Sequence, residues 1–498
     1  MNRSGRVPLW VVVVVIAILV GAALAFNNIY RFRRSHGAGT GSAELPRAVA
    51  AGDVSLPPGY EIDAVATGLT FPTAVAFDDA GRLHVIEAGY VYGEKWTTPR
   101  LLRVEPEGRL VEVARGTKPP WTGVSFSNGA FLIAEGGARD GGRIIRVTPD
   151  GTTTVLVDSL PSMGDHHVNR AVAGPDGSIY FSIGTATNSG VVGEDNWEFG
   201  WLKRHPTFHD IPCRDITLAG KNYETRDVRA ADSAGRATTG AFVPFGTPTT
   251  PGQVIRGSVP CSGSVLRVAS NGGPPDLVAW GFRNPYGLSF APDGTLYITE
   301  NGFDIRGSRG IFGGADHLYR IETGKWYGWP DFAGGIPVAQ ERFKPEGKPQ
   351  PTALLAALPN PPPQPVARLA VHSSSNGFDF STNQAFGHVG EAFIAQFGDM
   401  TPKTGKVWAP VGARVVRVDL KTGDVRDFII NKGKTHGPAS EIGSKGIERP
   451  VDARFGPGGS ELYITDFGIM TVSDKGPAAR EKTGVIWRVR RTSAVRPR

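Results

Sequence analysis

One pattern recurs six times along this chain, and it leaves few folds open. Each copy joins an apolar strand, a turn often written Pro-Asp-Gly, and a second strand close to Leu-Tyr-Ile-Thr-Glu. A further strand ending in Arg-Val or Arg-Ile follows some way on. The copies begin near Pro72, Val124, Ala171, Gly287, Gly377 and Asp452. Two of the clearest are Gly287-Leu288-Ser289-Phe290 before Leu296-Tyr297-Ile298-Thr299-Glu300, and Asp452-Ala453-Arg454-Phe455 before Leu462-Tyr463-Ile464-Thr465-Asp466. Period-2 strands divided by Gly, Pro and Asp turns at such intervals mark radial β repetition, in which each small sheet buries its faces against its neighbours. A lone sandwich gives no sixfold recurrence, and no long amphipathic helix is visible. The expectation is an all-β chain: a six-bladed β-propeller over residues 58–490. The 66 Gly and 39 Pro scattered through the sequence fit that many turns.

The third copy is interrupted by residues 185–263, an insertion of about 80 residues between its middle and final strands, and loops of that length are functional or disordered. This one carries both cysteines, Cys213 and Cys261, and several aromatics, so an ordered flap over one end of the ring is expected. The sequence admits a disulfide between the two, and also two separate buried thiols. A disulfide would accord with a compartment that does not keep thiols reduced.

Residues 1–26 read as an export signal or an N-terminal membrane anchor. Leu9 to Phe26 is 18 residues without a charge, preceded by Arg3 and Arg6. It is just long enough to span hydrocarbon, while Ala23-Leu24-Ala25 suits cleavage. Either way the remainder is expected outside the cytoplasm, periplasmic or at the cell surface. Residues 27–57 are small and polar and read as a flexible linker; residues 491–498 form a basic tail. The net charge of +7 raises the question of an anionic partner. The tight basic cluster is Arg31, Arg33 and Arg34 beside the apolar run, and no stretch interleaves basic and aromatic residues, which argues against nucleic acid. There is no Cys-x-x-Cys-His for a covalent haem and no Gly-x-Ser-x-Gly for a serine hydrolase.

Three stretches carry residue types suited to chemistry. In Gly164-Asp165-His166-His167-Val168-Asn169-Arg170, just ahead of a blade, a histidine is suited to take a proton from a hydroxyl near neutral pH. Adjacent residues of a strand face opposite ways, so one of the two histidines at most is expected in a given site. Trp280 to Gly287 opens the next blade in the same manner, and its Arg283-Asn284 pair offers donors to a carboxylate or quinone oxygen. Glu300-Asn301-Gly302-Phe303-Asp304 and Asp316-His317 bracket a Gly-rich loop, followed by Tyr327-Gly328-Trp329-Pro330, and such oxygen-rich loops suit Ca²⁺. Each stretch, taken alone, also reads as ordinary loop or blade-junction packing.

Together they resemble the pyrroloquinoline-quinone-dependent glucose/sorbosone dehydrogenase family, of the soluble aldose sugar dehydrogenase type. The resemblance rests on His166-x-x-x-Arg170, Arg283-Asn284-Pro285-x-Gly287 and Tyr327-Gly328-Trp329-Pro330, in family order within about Leu56 to Val489. It implies a quinoprotein oxidoreductase with pyrroloquinoline quinone (PQQ) and Ca²⁺. His166 would be the base that deprotonates a sugar or polyol hydroxyl, and Arg283, Asn284, Arg170 and Arg449 would contact the quinone. Gly302, Phe303, Asp316 and Tyr327 would belong to calcium sites, and electrons would pass to an unidentified acceptor. The chain departs from the family pattern at Gly302-Phe303, where a proline is usual, at His317 in place of an acid, and at Val451 in place of an arginine. The family's cofactor lysine has no clear counterpart; Lys403 and Lys406 are nearby. A propeller kept as a non-catalytic binding module is the alternative.

Overall fold

The computed structural model describes residues 47–492, apart from 93–94, 138–139, 232–233, 401–410 and 474–475. Six antiparallel sheets follow one another along the chain, one per sequence repeat. Their first strands are Pro72–Phe77, Trp121–Ser127, Val168–Ala173, Pro285–Phe290, Ser375–Phe380 and Pro450–Phe455. Each first strand touches the first strand of the next blade, and the sixth touches the first, so the ring is closed. The expected six-bladed propeller is the fold.

Burial explains which strands the repeat made visible. Second strands such as Leu296–Glu300 and Ala392–Gln396 are buried at every position, because blades cover both of their faces. Outer strands are half solvated; Thr153–Leu160 buries three of its eight residues. Aromatic and aliphatic side chains fill the wedges between blades. Between blades five and six, Phe386, Phe393, Phe428, Phe455 and Trp487 interlock, and each such side chain contributes about 1.5–3 kcal/mol on leaving water.

The ring is fastened by its two ends. Tyr60–Leu69 pairs antiparallel with Gly484–Arg491 and completes the sixth blade, so that blade combines N-terminal and C-terminal strands. Val54–Ser55 adds a fifth strand to blade five. The side chain of Arg47 is buried, donating to the carbonyl of Thr483 at 3.1 Å and to Asp466 Oδ2 at 3.0 Å. The linker expected to run to residue 57 is therefore held against the ring from Arg47 onward, by a buried guanidinium that composition alone does not reveal.

The insertion lies between Ile183 and Ser264 and is ordered. It contains two two-stranded antiparallel sheets, Ile216–Ala219 with Pro251–Ile255 and, between them in sequence, the hairpin Asn222–Arg226 with Arg236–Gly240, and two short helices, Glu194–Glu198 and Trp201–Arg204. Trp201, Phe208 and Phe245 give it a core of its own. Cys213 and Cys261 form a disulfide with 5.0 Å between their Cα atoms. The expected signal or anchor, Lys403 and Lys406, and the last six residues of the tail lie outside the described residues; among the described residues no helix is long and apolar enough to cross a membrane.

Candidate active site

All six first strands start at the same end of the ring, and their second residues meet there. Thr73, Thr122, Asn169, Tyr286, Asn376 and Val451 each occupy the second position of a first strand, and all six line one cleft of about 590 Å³. The loops linking second to third strands rise around it, supplying Tyr90 and Tyr92 from blade one, Phe199 and Trp201 from the flap, and Asn301, Gly302, Asp304 and Arg306 from blade four. The sequence periodicity thus builds the cleft directly.

His166 lies on its wall, 6% exposed. Its Nδ1 is 2.9 Å from the carbonyl of Thr185 and 3.1 Å from Thr185 Oγ1, whose own hydrogen is given to the Thr187 carbonyl at 2.6 Å. Both neighbours can only accept, so Nδ1 carries the proton and Nε2 keeps the lone pair. Burial, then the positive charges of Arg283 and Arg306, hold this imidazole well below the usual histidine range, so it stays neutral. His167 also lines the cleft, boxed by Tyr90, Tyr92 and Trp201, and burial lowers it to about 4. The expectation of one histidine per site fails because the strand begins only at Val168, so strand alternation does not govern residues 166 and 167.

Arg283 is anchored on every side. Its Nη2 donates to Asp304 Oδ2 at 2.8 Å and its Nε to Asn188 Oδ1 at 3.1 Å, while its backbone N–H binds Glu300 Oε1 at 2.7 Å. Arg306 extends the network, with Nε 3.1 Å from Asp304 Oδ2 and Nη1 2.6 and 2.7 Å from carboxylates of Asp165 and Asp195. Burial opposes ionisation of Asp304, yet Arg283, His372 and Arg306 hold it well below the ordinary range. Asp165 is raised to about 6, by burial against the pull of Arg306. An amide chain runs beside this network. Asn169 donates to Asn284 Oδ1 at 3.0 Å, Asn284 to Asn301 Oδ1 at 2.8 Å, and Asn301 to the Ser375 carbonyl at 2.9 Å.

Of the expected site residues, the cleft wall includes His166, Arg283, Asn284, Gly302 and Asp316. Arg170 lies one residue deeper, paired with Asp452 at 2.5 Å. Arg449 is buried behind the wall, with Nε donating to the Met470 carbonyl at 3.2 Å and Nη2 3.4 Å from Glu441 Oε1. Tyr327 packs on Phe282 and donates to the Arg320 carbonyl at 2.7 Å. Phe303 is buried within an apolar cluster. Asp316 accepts from Gly302 N at 2.8 Å, Ser375 N at 2.7 Å and Ser373 Oγ at 2.9 Å, so its oxygens organise the loops. Among the described residues no group of three or more His, Cys, Asp or Glu side chains is placed to hold a metal ion.

Comparison with known proteins follows the same lines. Residues 253–374 match the family described as Glucose / Sorbosone dehydrogenase. A relative, quinoprotein glucose dehydrogenase B of Acinetobacter calcoaceticus, is 28% identical over 183 residues, which are 36% of this chain and 29% of that protein. The chain thus aligns with less than a third of the length of this curated relative. Two solved structures share the propeller. The PQQ-bound form of aldose sugar dehydrogenase from Streptomyces coelicolor has 17% identity and a TM-score of 0.50, covering 88% of this chain and 99% of that one. The PQQ domain of pyranose dehydrogenase from Coprinopsis cinerea has 14% identity and a TM-score of 0.52, covering 90% and 99%.

The segment that matches this family takes in blade four and its approaches, and so contains Arg283, Asn284, Gly302, Asp316 and Tyr327. It also contains His372, a cleft residue that the sequence reading missed. The signal was present: His372 stands just ahead of a first strand, where His166 and Arg283 stand in their blades. Arg306 was missed as well, because a single arginine in a Gly-rich loop announces nothing until three aspartates from separate segments converge on it.

Proposed function

We propose that this protein is an extracytoplasmic quinoprotein dehydrogenase that oxidises an aldose or a related sugar or polyol. The observation that carries the reading is His166, a buried imidazole kept neutral with its lone pair on Nε2, in a cleft that every blade helps to line. That ring is suited to take the proton of a substrate hydroxyl.

The residues present fit an acceptor-rich planar quinone. Arg283, Arg306 and the Asn284 amide supply donors along the wall, and Nε2 of His372 is a buried nitrogen without a partner among the described residues. When bound, pyrroloquinoline quinone supplies an acceptor for hydride from the substrate carbon. Arg283, fixed by Asp304 and Asn188, would orient its oxygens. The backbone carbonyls of Gly302 and Phe303, with Asp316 close by, would hold Ca²⁺, a hard cation that takes oxygen ligands. Tyr92, Phe199 and Trp201 wall the cleft with apolar surface and so limit water beside the reacting groups. Arg170, Arg449 and Tyr327 would act from behind the wall as supports. The disulfide supports an oxidising compartment, and residues 1–26 would serve as the export signal or membrane anchor. Electrons would then pass from the reduced quinone to a separate acceptor.

One observation favours the alternative of a non-catalytic binding module: Arg283 and Arg306 are already neutralised by Asp304, Asp165 and Asp195. Titration of the purified protein with PQQ and Ca²⁺, then aldose-dependent dye reduction in wild type and His166→Ala, separates the two. Saturable binding and activity lost in the variant establish the dehydrogenase and its base. Absence of quinone binding at every calcium level turns the reading to the binding module.

A further inference from the structure

His372 repeats the placement of His166 on another blade, with a different partner. Its Nδ1 is 3.4 Å from Asp304 Oδ1. Asp304 is held as a carboxylate by Arg283 and Arg306 and can only accept, so the hydrogen between them belongs to Nδ1. Nε2 is then the position at which the ring exchanges a proton. It is buried and meets no partner among the described residues, in a residue 9% exposed that lines the cleft. An unmet buried nitrogen is costly, and a ligand atom in the cleft removes that cost. The backbone is also held in an unusual state: His372 has φ 56° and Ser374 φ 48°. Left-handed conformations at non-glycine residues persist where surroundings over-determine them, often at functional sites. Here Ser373 Oγ and Ser375 N, on either side of Ser374, both donate to Asp316 and fix the turn.

We propose that Asp304 and His372 form a second proton-transfer dyad in this cleft, distinct from His166, in which His372 Nε2 exchanges a proton with an oxygen of the bound ortho-quinone. The inference rests on the dehydrogenase reading above. The balance requires such a group. His166 takes the hydroxyl proton, and the C–H bond breaks with its electron pair passing to the quinone as hydride. The sugar carbon becomes a carbonyl and the acceptor is reduced by two electrons. A hydride alone leaves the acceptor one proton short of the quinol, and His372 gives that proton from Nε2. His166 then releases its proton to solvent and His372 recovers one, so alcohol plus quinone becomes carbonyl plus quinol. Asp304 holds Nδ1 throughout, as a carboxylate that orients an imidazole and stabilises its charged form. Burial opposes the charged ring, but Asp304, Asp399 and Asp316 outweigh it and raise His372 above its ordinary value.

Two measurements on the full folded domain test this. ¹⁵N-histidine NMR of the quinone-free protein is expected to show a protonated Nδ1 that disappears in His372→Gln; an unprotonated Nδ1 overturns the dyad. Stopped-flow absorbance of protein loaded with PQQ and Ca²⁺ then follows a single turnover with glucose. His372→Gln is expected to keep PQQ affinity within about threefold while the reduction rate falls about 10²–10⁴-fold, with imidazole restoring part of the rate to His372→Ala. Reduction at the wild-type rate in His372→Gln, with His166→Gln slow, overturns this inference alone. Loss of PQQ binding and rate together, without rescue, assigns His372 a merely structural part. Wild-type protein that binds no quinone, or that no sugar reduces, overturns the dehydrogenase reading and the dyad with it.

Discussion

Arg170 of blade three reaches Asp452 of blade six, on the opposite side of the ring, at 2.5 Å. Both are third residues of first strands, one layer beneath the cleft. The same layer holds Ala74, Gly123, Gly287 and Gly377, and these small residues leave room for the crossing. A Cβ at Gly377 would come within 2.0 Å of Asp452 Oδ1. Removing one partner of such a buried pair strands the other charge, so Arg170→Met is expected to cost about 3–5 kcal/mol. Chemical denaturation measures it. The double variant with Asp452→Leu is expected to recover part of the loss, and a single variant as stable as wild type would refute the bolt.

The neutral state of His166 sets the pH dependence of turnover. Burial, Arg283 and Arg306 all disfavour its charged form, so the acid limb of kcat/KM is expected below pH 6.5. Arg306→Met removes one of those positive charges and is expected to move that limb upward. A profile of kcat/KM against pH in both proteins decides, and a limb that stays put separates Arg306 from the base.

Glu300 governs stability at high pH. Burial raises its carboxyl to about 8, above its ordinary value of 4.5. The folded state therefore favours the protonated form, and this contribution to stability is complete below about 4.5 and is lost as pH rises through about 8. Glu300→Gln keeps an oxygen for the Arg283 N–H and does not ionise. Its Tm is expected to fall less than that of wild type between pH 6 and pH 9, as thermal unfolding at several pH values would show.

The disulfide closes a 48-residue separation within the flap, worth about 4 kcal/mol in the chain-entropy model. Replacing Cys213 and Cys261 together by serine is expected to lower Tm and to expose the flap, which supplies Phe199 and Trp201 to the cleft, to limited proteolysis. Cleavage sites that stay outside residues 185–263 would count against this.

Much of the fold was legible because the inner strands are covered on both faces. Leu296–Glu300 and Leu462–Asp466 therefore read as near-continuous apolar runs between turn residues. Outer strands such as Thr153–Leu160 face water and merge with loops in the sequence. The strand Tyr60–Leu69 was hidden for another reason: its partner lies more than 400 residues away, and pairing at that distance leaves no local trace. The same holds for the site. His166 and Arg283 stood out through their motifs, whereas Arg306 and His372 acquire meaning only when the fold brings Asp165, Asp195 and His372 from separate segments to the Asp304–Arg306 loop.

That distant pairing also sets the order in which the molecule can be finished. Tyr60–Leu69 is made before the first strand of any blade, whereas Gly484–Arg491 is made after the first strands of all six. Until then two strand edges stand open, a state prone to wrong pairing with other chains. A product truncated at residue 483 would not be a slightly smaller propeller but an unlatched one. Closure of the ring therefore waits on this eight-residue strand, and every blade made before it stays part of an open row of sheets until the strand arrives.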